Sequence, residues 1–360
     1  MAQSHKQYAS PELLLDHLSN DDSSMESQRG TRGFILCDSA FRSVSAPVAY
    51  HELLNRLPVH WIDAGERCKS LEKAQDAWSW LEASGAGRFD TLIIIGGGTT
   101  TDLGAFVAST YKRGVNFILI PTTLLGMVDA AIGGKNGLNL NGIKNAIGTF
   151  SEPSEVRIDV NWLHTLPRRE ILNGWMELSK HALIRDKALW SEMQTLGPHD
   201  SGIDWSRFVQ EGNAIKKEIV DIDFYEQGER KQLNFGHTVG HALESAAAEA
   251  NIALDHGFAV GVGMISALHW SVLNADKITD QESLKEASET LKRWLKSESE
   301  SAPFNWCVKQ SPEHLWRFML KDKKNKANTV LDVRLHEIGA AKWDCPIAEN
   351  DFEIIWMSAF

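Results

Sequence analysis

Cysteine is scarce. The 360 residues contain four, Cys37, Cys68, Cys307 and Cys345. They are scattered, with no CxxC pair, which argues against a disulfide framework and suits buried or free thiols in a reducing cytosol. Long hydrophobic runs are missing too: no apolar stretch approaches the ~20 residues of a membrane span. The opening MAQSHKQYASPELLLDHL has neither the basic start nor the apolar stretch of a secretory signal. A cytoplasmic protein is expected. Basic residues are outnumbered, 37 Lys and Arg against 48 Asp and Glu for a net charge of −11. That balance opposes binding to nucleic acid or to an anionic membrane, either of which needs a basic face. No internal repeat or low-complexity segment is visible. What the chain does have is core-forming material, 43% hydrophobic residues with 13 Trp and 14 Phe. This excludes disorder over most of its length, and the length itself suggests two domains.

The acidic balance has one local exception. Between Leu103 and Ser151 the bases are Lys112, Arg113, Lys135 and Lys144, and Asp129 is the only acid. Such a stretch can hold a small anion, or it can be a solvated face. Along the chain, Ser-Pro followed by four leucines predicts a helix over 9–19. Apolar runs predict strands at 33–38, 59–66, 90–98 and 116–123, with helical spacing at 69–84 and 101–114. Alternating strands and helices imply a parallel sheet covered on both faces. After about residue 160 helices dominate, at 168–186, 189–195, 206–222, 231–249, 258–275 and 280–297. KSESESA (296–302) reads as a charged turn, and 329–339 as a strand or an extended connection. The expected architecture is an α/β nucleotide-binding half (1–160, Rossmann-like) and an all-α half (161–360), with a cleft between them.

Four groups of residues carry potential chemistry. Gly96, Gly97 and Gly98 lie between a strand and a helix, where backbone N–H groups can bind a pyrophosphate, although a tight turn fits as well. GGKNG (133–137) and GIKN (142–145) interleave lysine with glycine, as a phosphate-binding loop or a soluble surface loop would. Glu177, Lys180 and His181 share a helix face, which by spacing alone is an ordinary ion pair. His237 and His241 stand one turn apart, the usual helical spacing for two metal ligands, with His256 opening another helix. Two core histidines would give the same spacing.

Taken in order, AGERCKS, GGGTTTDLGAFVASTYKRG, PTTLLGMVDAAIGGKNGLN, GIKNAIGTF, LHTLPRRE, ELSKHALI, ERKQLNFGHTVGHALES, DHGFAVGVGM and DKKN form a specific set. From about Asp38 to Asn325 the chain resembles the 3-dehydroquinate synthase family of sugar phosphate cyclases. The resemblance implies a homodimeric enzyme using NAD and Zn2+ (or Co2+), with Glu177, His237 and His256 as metal ligands. His241 is then left for substrate and proton chemistry. It implies NAD contacts from Asp38, Glu66, Lys69, Gly97, Gly98, Asp102, Thr122, Thr123, Thr165, Leu166 and Glu170, with Lys135 and Lys144 counted here too. Implied substrate residues are Asp129, Lys135, Asn145, Lys180, Lys216, Arg230, Asn234 and His241, with Arg113, Lys144 and Lys324 contributing; Lys323 is the neighbouring choice for the last. The implied substrate is a small phosphorylated keto acid, 3-deoxy-D-arabino-heptulosonate 7-phosphate. A secondary hydroxyl is transiently oxidised, phosphate is eliminated, the hydride returns, and an intramolecular aldol reaction closes 3-dehydroquinate. Three positions depart from the family pattern: Ala40 for Asn, Asn136 for Thr, and Phe258 for the Glu of an HGE motif. Asn136 and Phe258 leave another sugar phosphate cyclase open as an alternative; a second alternative is a metal-dependent polyol dehydrogenase of the glycerol dehydrogenase type, which shares the fold but releases NADH.

Overall fold

Aliphatic runs without polar alternation suit strands covered on both faces; three such runs, with the half-buried VHWI at 59–62, supply the first four strands of the sheet. They are β1 (Gly33–Asp38), β2 (Val59–Ile62), β3 (Thr91–Gly96) and β4 (Asn116–Pro121). β1 and β3 are buried along their whole length. The computed structural model describes residues 32–43, 46–63, 65–141, 143–273, 280–297, 301–322 and 329–360. The helix expected over 9–19, Gly142, Lys323, Lys324 and part of the charged run 296–302 lie outside the described residues. The chain divides into two compact units, Met1–Pro167 and Arg168–Phe360.

In the first unit every pairing in the sheet is parallel, in the order β2-β1-β3-β4-β7, with β7 a short edge strand (Glu155–Val156). Helices α1 (His51–Arg56), α2 (Leu71–Ala83) and α3 (Gly98–Thr110) connect successive strands. From β1 the chain runs to β2 on one side, while β3 pairs on the other. The strand order thus reverses beside β1, and the carboxyl ends of β1 and β3 form a switch point of the kind that binds nucleotides. Two elements differ from their predicted form. The helix expected at 101–114 begins earlier, at Gly98, and ends in a 3-10 turn (Tyr111–Arg113) before Gly114. The lysine-bearing segment is no loop but an antiparallel ribbon of β5 (Lys135–Leu140) and β6 (Ile143–Phe150). It closes because Gly148 has no side chain: a Cβ there would strike the Asn136 carbonyl oxygen.

The second unit packs α4 (Arg168–Arg185), α5 (Lys187–Met193), α6 (Trp205–Ile222), α7 (His237–Glu249), α8 (His256–Leu273), α9 (Gln281–Leu295), α10 (Ser301–Val308), α11 (Pro312–Met319) and α12 (Glu349–Ala359). To these helices it adds one antiparallel ribbon, β8 (Val330–Glu337) with β9 (Ala340–Ile347). The helix expected over 231–249 is two elements, a 3-10 turn (Glu229–Asn234) and then α7. The break falls at Gly236, which has φ +78°, a value that strains any residue with a Cβ. α8 is long and apolar enough to cross a membrane, with mean hydropathy 1.3, yet 78% of that stretch is buried among its neighbours.

Candidate active site

In the first unit the sheet delivers Asp38 and the three glycines side by side, since Cys37 pairs with Ile95 one residue short of each. The buried Asp38 carboxylate accepts the Ala40 amide at 2.9 Å. Burial pushes its pKa up, the Ala40 amide pulls it down, and Asp63 raises it again, for a net rise. Gly97 caps the start of helix α3 with no side chain on its amides, which leaves the N-terminal N–H groups and dipole suited to an anion. A Cβ on Gly97 would come within 3.1 Å of Thr123 Cγ2, and one on Gly98 within 3.0 Å of Ala130 Cβ. Bare backbone is therefore what lets the helix end sit against the segment after β4. That segment carries Thr122, whose amide donates to the Gly96 carbonyl, and Thr123, whose hydroxyl accepts the Gly126 amide. It then winds through one π-helical turn, Gly126–Ala130, which holds Asp129. Thr165 ends a 3-10 turn with its hydroxyl on the Trp162 carbonyl, followed by Leu166.

The resemblance splits Lys69, Asp102 and Asn145 between cofactor and substrate, but here they are one network. Lys69, 4% exposed, donates to Asp102 Oδ2 at 2.6 Å and to Asn145 Oδ1 at 2.5 Å. Asn139, which the sequence did not single out, donates to Glu66 Oε1 at 2.8 Å and accepts the Asn145 amide at 2.9 Å. Of these, Glu66, Lys69 and Asn139 line a depression of about 290 Å³ with Arg67, Ser70 and Asn141. Lys135 and Lys144 are exposed on the ribbon, as is Arg113 on its turn. Asn136 is buried and donates to the Ser151 carbonyl at 3.0 Å, pinning the ribbon's end.

In the second unit three helices converge. The Gly257 amide donates to Asn173 Oδ1, and a Cβ on Gly257 would collide with the Asn173 carbonyl, so the start of α8 lies directly on α4. A Cβ on Gly236 would lie 2.6 Å from Met264 Cγ and 2.7 Å from the Val260 carbonyl, so the start of α7 is equally tight against α8. These close approaches bring Glu177, His237 and His256 together, each offering one ligand atom within 4.8 Å of the others. Glu177 is fully buried. Its Oε2 accepts from Lys180 Nζ, while Oε1 lies 3.8 Å from His237 Nε2 and 3.6 Å from His256 Nε2. Among the described residues that oxygen has no hydrogen-bond partner, which for a buried carboxylate is costly unless something cationic sits on it.

His241 is turned elsewhere, with Nδ1 3.4 Å from Asp322 Oδ2, although its ring stands 5.3 Å from that of His237. Glu170, at the start of α4, is raised in pKa by burial and by Asp255, against Arg169 and Asn173. Arg230 and Asn234 sit on a turn held by Asp223, whose carboxylate accepts the amides of Gln227, Gly228 and Arg230. Burial opposes the charge on Asp223, but these amides and Arg230 hold its pKa below the usual range. Arg230 donates to the Phe224 carbonyl at 2.5 Å and Asn234 to Glu226 at 2.7 Å, while Lys216 is buried on α6. Asp322 and Glu244, the carboxylates behind His241 and His256, carried no signal in the sequence, because their histidines are distant in the chain or on another helix.

Family models described as the N-terminal and C-terminal domains of 3-dehydroquinate synthase match residues 59–173 and 174–325. The chain belongs to the 3-dehydroquinate synthase family. A 3-dehydroquinate synthase of Pelagibacter ubique is 39% identical over 302 residues, covering 82% of this chain and 80% of the relative. The fold is shared with 2-epi-5-epi-valiolone synthase from Streptomyces hygroscopicus, solved with NAD+ and Zn2+, at TM-score 0.78 and 24% identity over 100% of this chain and 97% of that one. It is also shared with 2-deoxy-scyllo-inosose synthase, solved with carbaglucose-6-phosphate, NAD+ and Co2+, at TM-score 0.76 and 22% identity over 95% and 94% of the two chains.

Proposed function

We infer that this chain converts 3-deoxy-D-arabino-heptulosonate 7-phosphate to 3-dehydroquinate and phosphate, using NAD and a divalent metal, zinc or cobalt. The observation that carries the reading is Glu177 Oε1, a fully buried carboxylate oxygen with no hydrogen-bond partner among the described residues and two imidazole Nε2 atoms at 3.8 and 3.6 Å. One carboxylate and two imidazoles suit an open catalytic zinc site. The uncapped start of α3 and its glycines suit a pyrophosphate. NAD supplies a hydride acceptor that later gives the hydride back, and the metal supplies a Lewis acid.

The chain's own residues do the rest. Gly97 and Gly98 present backbone amides to the cofactor's phosphates, Asp38 accepts from ribose hydroxyls, and Glu66, Lys69, Asp102, Thr122, Thr123, Thr165, Leu166 and Glu170 complete its surroundings. Lys135, Lys180 and Asn145 bind the substrate phosphate, with Lys144 and Lys324 contributing, and Arg230 takes the carboxylate through its fork of donors. Asp129, Lys216 and Asn234 orient the ring hydroxyls. His241 exchanges a proton at its ring nitrogen, backed by the Asp322 carboxylate. We assign the NAD-binding domain to residues 1–160, which also lends Asp129, Lys135, Lys144 and Asn145 to the substrate, and the metal- and substrate-binding domain to 161–360. We further propose a cytoplasmic homodimer in which Arg113 reaches the partner's phosphate site; the four buried thiols suit a reducing compartment, and the net charge disfavours nucleic acid and anionic membranes.

The test is to incubate the chain with the heptulosonate phosphate, NAD and zinc, following phosphate and the cyclic product together. Stoichiometric phosphate and 3-dehydroquinate without growth of NADH absorbance is expected. One NADH per turnover would instead mean a polyol dehydrogenase, and turnover only with another sugar phosphate would mean a different cyclase.

A further inference from the structure

We propose that Glu244 is a positioning residue for the metal, fixing the tautomer and orientation of His256. The inference rests on the metal assignment above. Glu244 lies on α7, seven residues and two turns after His237, and so on the same face. It is 8% exposed, and its Oε2 stands 3.3 Å from His256 Nδ1. The other nitrogen of that ring, Nε2, is the one 3.6 Å from Glu177 Oε1. A neutral imidazole carries one N–H, and an ionised carboxylate only accepts. With the proton on Nδ1 facing Glu244, the lone pair of Nε2 is directed at the position the metal would take.

His237 reaches the same arrangement differently. Its Nδ1 lies 3.3 Å from the Phe235 carbonyl, a backbone acceptor that no substitution removes. His256 opens α8 with its side chain 33% exposed. The residue two positions on is Phe258, buried in the apolar core. The carboxylate comes from across the helix pair. Glu244 can also be drawn as a ligand, because it, His241 and His256 offer atoms within 4.8 Å of one another. For a second metal there, His256 would have to bind ions through both nitrogens, which requires an imidazolate. A single metal with a carboxylate behind its histidine needs no such deprotonation.

The experiment uses the full chain, freed of metal and titrated with Zn2+ against a chromophoric chelator. The wild type should bind one zinc. Glu244→Ala should bind it ~10–100-fold more weakly, and Glu244→Gln, which keeps shape and an acceptor oxygen but loses charge, should fall between. Loaded with Co2+, both variants should shift the visible ligand-field bands, while thermal melting of the metal-free chains stays at the wild-type value. Unchanged zinc affinity and cobalt spectrum in both variants would overturn the proposal. So would two zincs in the wild type falling to one in Glu244→Ala, since Glu244 would then be a ligand. A wild type that holds no zinc, like Glu177→Ala, removes the metal reading itself.

Discussion

A glutamate and a lysine three residues apart on a helix ordinarily make an exposed pair contributing about 0.2–0.5 kcal/mol. Glu177 and Lys180 have the same spacing with side chains 0% and 1% exposed, and a buried pair loses more in desolvation than such a surface pair contributes. Its location beside two imidazoles gives it a reason that stability does not. The spacing of residues in the chain could not reveal this, since burial depends on α4 meeting α7 and α8. The same limit applies to His237 and His241. Their separation of four does put the rings side by side, but His241 Nδ1 is turned to Asp322, 81 residues away in sequence. A pattern along one helix carries no information about that partner. The consequence is a separable pair of variants. His237→Ala and Glu177→Ala should lose both bound metal and turnover, whereas His241→Ala should keep stoichiometric metal, measured by atomic emission, and lose rate. Loss of metal from His241→Ala comparable to that from His237→Ala would make the helical spacing the right guide.

At the scale of elements, β1, β3 and β4 were legible because strands buried on both faces are written as unbroken aliphatic runs. β9 was not, since AAKWDCPI alternates irregularly, contains Pro346 and bulges at Asp344, which has φ +54°. The break at Gly236 was also hidden, because helical spacing continues across it and only packing against Met264 and Val260 demands it. Where an end is set by a cap, sequence and structure agree better. Asp280 begins α9, accepting the Ser283 amide at 3.3 Å and pairing with Lys187 at 2.9 Å. Hydrogen bonds from Ser283 and Lys187 lower its pKa from 3.8 to about 2. A carboxyl depressed in the folded state stabilises fully above its unfolded value and stops doing so as pH falls through the folded one. Asp280→Ala should therefore cost about 0.5–2 kcal/mol near neutral pH, as lost caps do. In urea unfolding, the gap from wild type should close as pH drops from 3.8 toward about 2. A gap that persists at the acid end would show that the charge is not what Asp280 contributes.

For the whole molecule, the question is why a chain of net charge −11 keeps Arg113 where it does. Lys112, Arg113 and Gly114 have φ of 48°, 67° and 107° in succession, and two of these are residues for which the left-handed region is unfavourable. Lys112 is held there by the Ala86 carbonyl at 2.6 Å and by Glu82 at 3.5 Å. Arg113 is exposed, so the strained turn presents a guanidinium to whatever lies outside. A planar, permanently charged fork is suited to holding a phosphate across a subunit interface, and the proposed homodimer gives it one to hold. Arg113→Ala and Glu177→Ala should each be inactive as pure proteins. Mixed under conditions that exchange subunits, they should recover activity if Arg113 works in trans, because each mixed dimer then pairs an intact Glu177 with an intact Arg113 at one of its two sites. Random exchange of equal amounts makes half the dimers mixed, and so about a quarter of wild-type activity is expected. If Arg113 works in cis, every site lacks one residue or the other, and proven mixed dimers stay at background. If Arg113 only ends its helix, where a cation is favoured by the dipole, Arg113→Ala is scarcely impaired before any mixing.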